Sequence, residues 1–423
     1  MSYRNLVLIT LDAVRPDHLS CYGYDVIQTK KIDFIAKEGV TFETCISSSC
    51  LTPVSLATIL SGLYPPSHGF QDPFCTLEVD SLAEKCKRAG FATAGFVGVS
   101  FLSATHGFGK GFDLFDEPTE EGSWHTKKYQ KEDKGMLTIW GNQWAERMFT
   151  WISEHKSQSF FAWGHWFECH LGAEEWMLEK GILQEGVLSK DSYYDAKIKY
   201  MDEYLFGTLI KVLRDEGIWE NTDIMIVSDH GETLGEHRLM GSIPKYGLEK
   251  HPQHRSMYDT DLKTPLVIKS NKLSGRFSHP VRTVDVTPTA VDLLGLKEKD
   301  ISYDGQSLVP FVTGQKPYET PPAYAEERFK ERGEGELQAI RWDNYKLIRN
   351  ITTGQIEFYN LVNDPGEQKN LYPKALKGAL RSEIEKSIKI LDRFLVKKES
   401  LSRISKDEKK ILEERLRALG YID

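Results

Sequence analysis

The chain has 423 residues, 40% hydrophobic and 27% charged, and a formal net charge of −8 from 54 basic and 62 acidic side chains. This is globular composition, which excludes a disordered chain, a collagen-like repeat and a disulfide-stapled miniprotein; a chain this long buries a large core unaided. It has no long basic stripe and no run of 18 apolar residues, so neither a nucleic-acid partner nor a membrane partner is expected.

A small anionic substrate stays compatible with the negative balance, because a local metal ion inverts the field around it. Met1-Ser2-Tyr3-Arg4 shows no signal-peptide layout. The six cysteines (Cys21, Cys45, Cys50, Cys75, Cys86, Cys169) follow neither CxxC nor regular spacing. Thiols in a reducing cytoplasm are the expectation. A homo-oligomer is left open.

Asn5 to Thr10 (NLVLIT) is a short apolar run and predicts a buried strand. A helix is expected over Thr29–Glu38, a strand at Val40–Phe42, and a helix over Pro53–Ser61. Leu82–Ala89 reads as a helix and Ala92–Val97 as a strand. Residues 102–135, rich in Gly and charge, read as surface loops. Gln143–His155 is helical in pattern, and Ser159–Gly164 (SFFAWG) is a strand. A long amphipathic helix over Tyr194–Glu216 ends at Gly217. Thr222–Ser228 and Lys263–Lys269 are further strands. Strands alternating with helices predict an α/β fold with a mostly parallel sheet covered on both faces. Gln338–Arg349 and Ile356–Leu361 predict antiparallel strands around Thr353-Gly354, followed by charged helices between Ala375 and Ala418. The expected domains are therefore residues 1–315, the α/β body, and 316–423, a small α+β subdomain.

Three expected strands end in ligand-type residues: Asp12 after the first, His165 after SFFAWG, and Asp229-His230 after TDIMIVS. In open α/β sheets, ligands bind outside the carboxyl ends of the strands, so the three ends can share one crevice. Asp and His together can ligate a metal, and Gly231 permits the bend. An aspartate after a strand also serves as an ordinary turn or cap residue. Pro53 suits the first position of a helix, which makes Thr52 its N-cap. The Thr52 hydroxyl is then either a cap or a nucleophile for a phosphoryl group seated on the helix N-terminus.

Taken in order, these segments resemble the sulfatase/alkaline-phosphatase superfamily over nearly the full length. NLVLITLDAVRPDHLSCYGY is similar to its opening strand, TPVSLATILSGLYPPSHG to its nucleophile helix and HWFECH to its active-site histidine segment. YYDAKIKYMDEYLFGTLIKVL with SDHGETLGEH resembles its middle helix and metal-binding turn. TVDVTPTAVDLLGL, DGQSL, NYKLIR with EFYNLVNDPGEQKNL, and LRALGYI resemble its later core, C-terminal subdomain and ending. The resemblance implies an alkaline-phosphatase-like three-layer αβα sandwich. It also implies a divalent metal held by Asp12, Thr52, Asp229 and His230, with Thr52 as nucleophile. Nitrogen donors rank zinc or manganese ahead of calcium or magnesium, with a second metal left open. His254 stands where sulfatases and phosphonate monoester hydrolases usually carry lysine; the resemblance implies that it protonates the leaving group, holds the substrate anion or joins a second metal, with His165 as the other leaving-group acid or a substrate contact. His170, His237 and His251 are weaker candidates.

The departure is at the nucleophile. Sulfatases oxidise Cys or Ser within C/S-x-P-x-R to formylglycine; here the aligned residue is Thr52, Pro53 follows at once and Leu56 takes the arginine position. A secondary alcohol cannot become the aldehyde whose hydrate expels sulfate, whereas water can attack a threonine phosphoryl ester at phosphorus. The expected activity is hydrolysis of a small anionic ester, a phosphodiester or phosphonate monoester. The alternatives are a sulfatase without formylglycine and a non-catalytic anion-binding homologue.

Overall fold

The computed structural model describes residues 4–118, 142–169, 190–234, 236–237, 256–297, 302–329, 336–372, 374–378, 380–395, 403–405, 408–410 and 412–413. His170, His251 and His254 lie outside the described residues, as does half of the stretch 102–135, from 119 onward.

Thirteen strands occur among the described residues: β1 (Asn5–Leu11), β2 (Gly39–Ile46), β3 (Ala92–Val97), β4 (Leu114–Asp116), β5 (Phe160–Trp166), β6 (Thr222–Ser228), β7 (Lys263–Lys269), β8 (Gly275–Phe277), β9 (Val281–Arg282), β10 (Ala323–Glu327), β11 (Leu337–Trp342), β12 (Tyr345–Asn350) and β13 (Ile356–Asn360). The first nine form one sheet in the order β4-β3-β5-β1-β6-β7-β2-β8, with β9 also paired to β2. The strands β4, β3, β5, β1 and β6 run parallel. β7 is antiparallel to both β6 and β2, the exception to the parallel expectation. Pro265 has no N–H to give a ladder; it falls where the β2 register shifts between Phe42 and Cys45.

Every β1 residue is buried, and alternation sends them to opposite faces. Leu6 and Leu8 join Met225, Val227, Phe161 and Trp163 in one core. The helices Thr52–Ser61, Leu82–Arg88 and Val286–Leu294 cover that face. Val7, Ile9 and Leu11 join Ile224, Ile226 and Phe160 in the other core. It lies beneath the helices Lys30–Lys37, Asn142–Glu154 and the helical run 190–215. These two cores make the expected three layers. The run 190–215 contains a π turn at Asp202–Phe206, and the Asp202 carboxylate accepts the N–H groups of Lys31 and Ile32 at the start of the Lys30–Lys37 helix.

β10 to β13 form a separate antiparallel sheet. The single run expected at 338–349 is two strands, because the chain reverses at Asp343, which has a φ of 46°. One face of this sheet packs on the Arg381–Phe394 helix through Ile384 and Leu391. The other packs on Ile46, Cys50, Met257 and Leu262 of the main body, and the Glu326 N–H donates to the Ser48 carbonyl at 2.9 Å. Among the described residues, no helix is long and apolar enough to cross a membrane.

Candidate active site

β1 lies between β5 and β6, with Leu11 opposite both Trp166 and Ser228. Asp12 and Asp229 therefore leave the sheet at the same level. The backbone repeats this: Asp12 N–H donates to the Trp166 carbonyl at 2.8 Å and Asp229 N–H to the Leu11 carbonyl at 2.9 Å. His165 lies inside β5, one residue before its end, rather than after it as expected.

Asp12, Thr52, His165, Asp229 and His230 are all fully buried. A ring nitrogen of His165 and a carboxylate oxygen each from Asp12 and Asp229 lie within 4.8 Å of one another. His230 Nε2 is 3.6 Å from Asp12 Oδ1 and 3.5 Å from Asp229 Oδ2. The Thr52 hydroxyl is 3.1 Å from His230 Nε2 and 3.3 Å from Asp12 Oδ1. The structure thus brings together every expected metal-site residue and one of the two expected acids, although position 12 and position 230 are far apart in the chain.

The expected capping role of Thr52 is not what the structure shows. Ser55 N–H donates to the Leu51 carbonyl at 3.0 Å, so Leu51 is the cap and Thr52 is the first helical residue, with Pro53 second. Its hydroxyl makes no cap bond and turns to the carboxylate and imidazole instead.

His230 Nδ1 faces the Gly231 carbonyl at 2.8 Å. A carbonyl only accepts, so Nδ1 carries a proton, and the neutral ring presents a lone pair at Nε2. Both partners of Thr52 are then acceptors, and the hydroxyl donates toward them.

Burial, followed by Asp229 and Glu232 nearby, pushes the Asp12 carboxyl well above the usual carboxylate range. Burial raises Asp229 too, against the opposing influence of His230. Asp12 Oδ2 and Asp229 Oδ2 are buried without a hydrogen-bond partner. Two uncompensated carboxylate oxygens, an imidazole lone pair and a hydroxyl fit a divalent cation, which would satisfy them together.

Sequence reasoning missed the residues that aim this cluster. Ser55 Oγ donates to the Asp229 carbonyl at 2.6 Å, and Ser47 Oγ donates to the same oxygen. The N–H groups of Ala13, Val14 and Arg15 donate in turn to Asp229 Oδ1 (3.1 Å), Ser228 Oγ (2.8 Å) and the Tyr194 hydroxyl (2.8 Å). Ala13 is held at a φ of 57°, and Tyr194 donates back to its carbonyl at 2.6 Å. Of these only Ser228, adjacent to Asp229, had a local signal. His237, a weaker candidate, stacks on Tyr258 with ring centroids 3.9 Å apart.

Gly231 is required by packing. A Cβ there would lie 2.1 Å from the Thr260 carbonyl oxygen, a backbone atom. Gly231→Ala is expected to cost about 1–3 kcal/mol in a urea titration, the usual price of overpacking. An unchanged midpoint would show that this approach is not tight.

The fold and this cluster are those of an ester hydrolase. A family model described as Sulfatase matches residues 4–296, and one described as N-sulphoglucosamine sulphohydrolase, C-terminal, matches residues 249–393. The chain belongs to the sulfatase family of the alkaline phosphatase superfamily, hydrolases of sulfate or phosphate esters. It is 23% identical to the N-acetylglucosamine-6-O-sulfatase of Bacteroides thetaiotaomicron, covering 88% of this chain and 83% of that one. It is 23% identical to an arylsulfatase of Clostridium perfringens, covering 87% and 90%. The solved phosphonate monoester hydrolase of Agrobacterium radiobacter superposes with a TM-score of 0.71 at 20% identity, covering 93% and 96%.

Proposed function

We propose that the protein is a metal-dependent hydrolase of a phosphodiester or phosphonate monoester that acts through a phosphothreonine at Thr52. The observation that carries this reading is the Thr52 hydroxyl, buried at the start of a ten-residue helix and 3.1 Å from His230 Nε2. Asp12, Asp229, His230 and Thr52 would hold a divalent cation, zinc or manganese ranked first, which would offset the substrate's charge and lower the pKa of the hydroxyl.

Thr52 Oγ1, as the alkoxide whose proton has passed to solvent, attacks phosphorus in line, and the bond to the leaving alkoxide breaks. The phosphoryl group then lies at the positive end of the helix dipole. The proton for the departing alcohol is assigned to His254. Water hydrolyses the phosphothreonine and returns Thr52 to its hydroxyl form. Two in-line displacements retain configuration at phosphorus. The thiol state of all six cysteines, none in a disulfide, supports a reducing compartment, the cytoplasm, as its location.

A second reading is sulfate-ester hydrolysis, favoured by the family match and by the names of the relatives. It requires a route that does not pass through formylglycine, because Thr52 cannot form it. Cys50 does not offer one: its Sγ lies 3.7 Å from Glu327 Oε2, in the packing against β10.

Initial rates on p-nitrophenyl phosphate, phosphodiester, phenylphosphonate and sulfate separate the two. A diester or phosphonate preference that disappears in both Thr52→Ala and chelated protein is expected. Dominant sulfatase turnover that survives Thr52→Ala would overturn the phosphothreonine mechanism.

A further inference from the structure

Thr10 of β1 stands opposite His165 of β5. Three groups converge on its hydroxyl: Trp163 Nε1 at 2.9 Å, His165 Nδ1 at 3.0 Å and the Gly164 carbonyl oxygen at 3.3 Å. An indole N–H only donates and a carbonyl only accepts, while a hydroxyl has one proton and two lone pairs. All three contacts are hydrogen bonds at once in a single proton arrangement. Trp163 donates to Thr10, Thr10 donates to Gly164, and His165 Nδ1–H donates to the second lone pair of Thr10. If Thr10 donated to Nδ1 instead, the Gly164 contact would hold no proton. The neutral His165 ring therefore carries its proton on Nδ1 and a lone pair on Nε2.

One ring nitrogen of His165 and one carboxylate oxygen each of Asp12 and Asp229 lie within 4.8 Å of one another, and with Nδ1 engaged by Thr10 at 3.0 Å the nitrogen that can offer a lone pair to a shared cation is Nε2. Two carboxylates and an imidazole lone pair facing one another in a fully buried space call for a cation between them.

We infer that His165 binds the divalent cation through Nε2, and that Thr10 and Trp163 are positioning residues that hold its tautomer. This inference rests on reading Asp12 and Asp229 as metal ligands. It takes His165 out of the leaving-group role, because an acid needs its N–H at Nε2, and leaves that role to His254. Metal-binding histidines usually donate their other ring N–H to a fixed acceptor, which sets the tautomer and the orientation of the ring. Here the acceptor is a hydroxyl that is itself fixed from two sides.

The test is a Co²⁺ titration of the metal-free protein, followed by calorimetry and by the visible cobalt absorption band, which reports the ligand set. His165→Gln and Thr10→Val are expected to weaken Co²⁺ binding by about 10–100-fold and to alter the band, whereas Thr10→Ser, which keeps the hydroxyl, stays within roughly fivefold of the parent. Parent-like affinity and an unchanged band in His165→Gln would overturn the inference, provided that Asp229→Asn abolishes binding. Parent-like binding in Asp229→Asn as well would overturn the metal-site reading itself. Should Thr10→Val fail to fold, the two His165 replacements, by Gln and by Asn, decide the ligand assignment alone.

Discussion

Replacing Thr52 with valine is expected to abolish turnover, by roughly 10⁴-fold or more in kcat, the scale seen when a covalent nucleophile is removed. Valine keeps the branched shape and loses only the oxygen, so the fully buried site stays filled. The hydroxyl makes no cap bond, so the about 1 kcal/mol that a lost N-cap costs is not expected here. Thr52→Ser, which retains a nucleophilic oxygen at the same helical position, should recover part of the rate. A Thr52→Val protein with parent-like kcat in the p-nitrophenyl assay would remove Thr52 from the chemistry. A protein that loses both activity and its urea midpoint would point to a structural role instead.

Asp12→Asn is expected to separate function from stability. It removes a buried carboxylate whose proton affinity is raised by burial and by the neighbouring Asp229, so the metal-free variant should melt about 2–5 °C above the metal-free parent while losing its metal affinity. The sign of the pH dependence follows. The Asp12 carboxyl is raised in the folded state by burial, then by Asp229 and Glu232. The folded state then holds this proton more tightly than the unfolded chain does. The resulting stability is complete below the unfolded value of about 4 and is lost as pH rises through the raised folded value. The gap in melting temperature between Asp12→Asn and the parent should therefore widen from about pH 5 to pH 8 without metal, and close when metal binds the parent. A gap independent of pH would show that Asp12 carries no raised proton affinity.

These effects concern residues that the linear sequence already singled out. Asp12, Asp229 and His230 were legible because each follows a short strand with an apolar centre, LVLI or IMIV, and such strands are buried on both faces. Thr52 was legible as a helix start, but its position was one residue off. Proline fits the second helical position as well as the first, and the Ser55–Leu51 hydrogen bond that extends the helix has no side-chain signature. The antiparallel course of β7 was hidden for a similar reason. Direction is a property of the connection and of the partners, and KTPLVIK reads the same either way.

Local chemistry was enough to determine the three-layer α/β class, the order of the elements and the few polar residues at the strand ends. Hydrophobic period, strand length and turn residues are short-range quantities carried by neighbouring side chains. The pinning of those polar residues was decided only in three dimensions. Trp163 reaches Thr10, Tyr194 reaches Ala13 and Ser47 reaches Asp229 across separations of 153, 181 and 182 residues. A hydrogen bond depends on ångströms and angles rather than on sequence distance, so the proton arrangement on His165 exists only once β5 and β1 lie side by side.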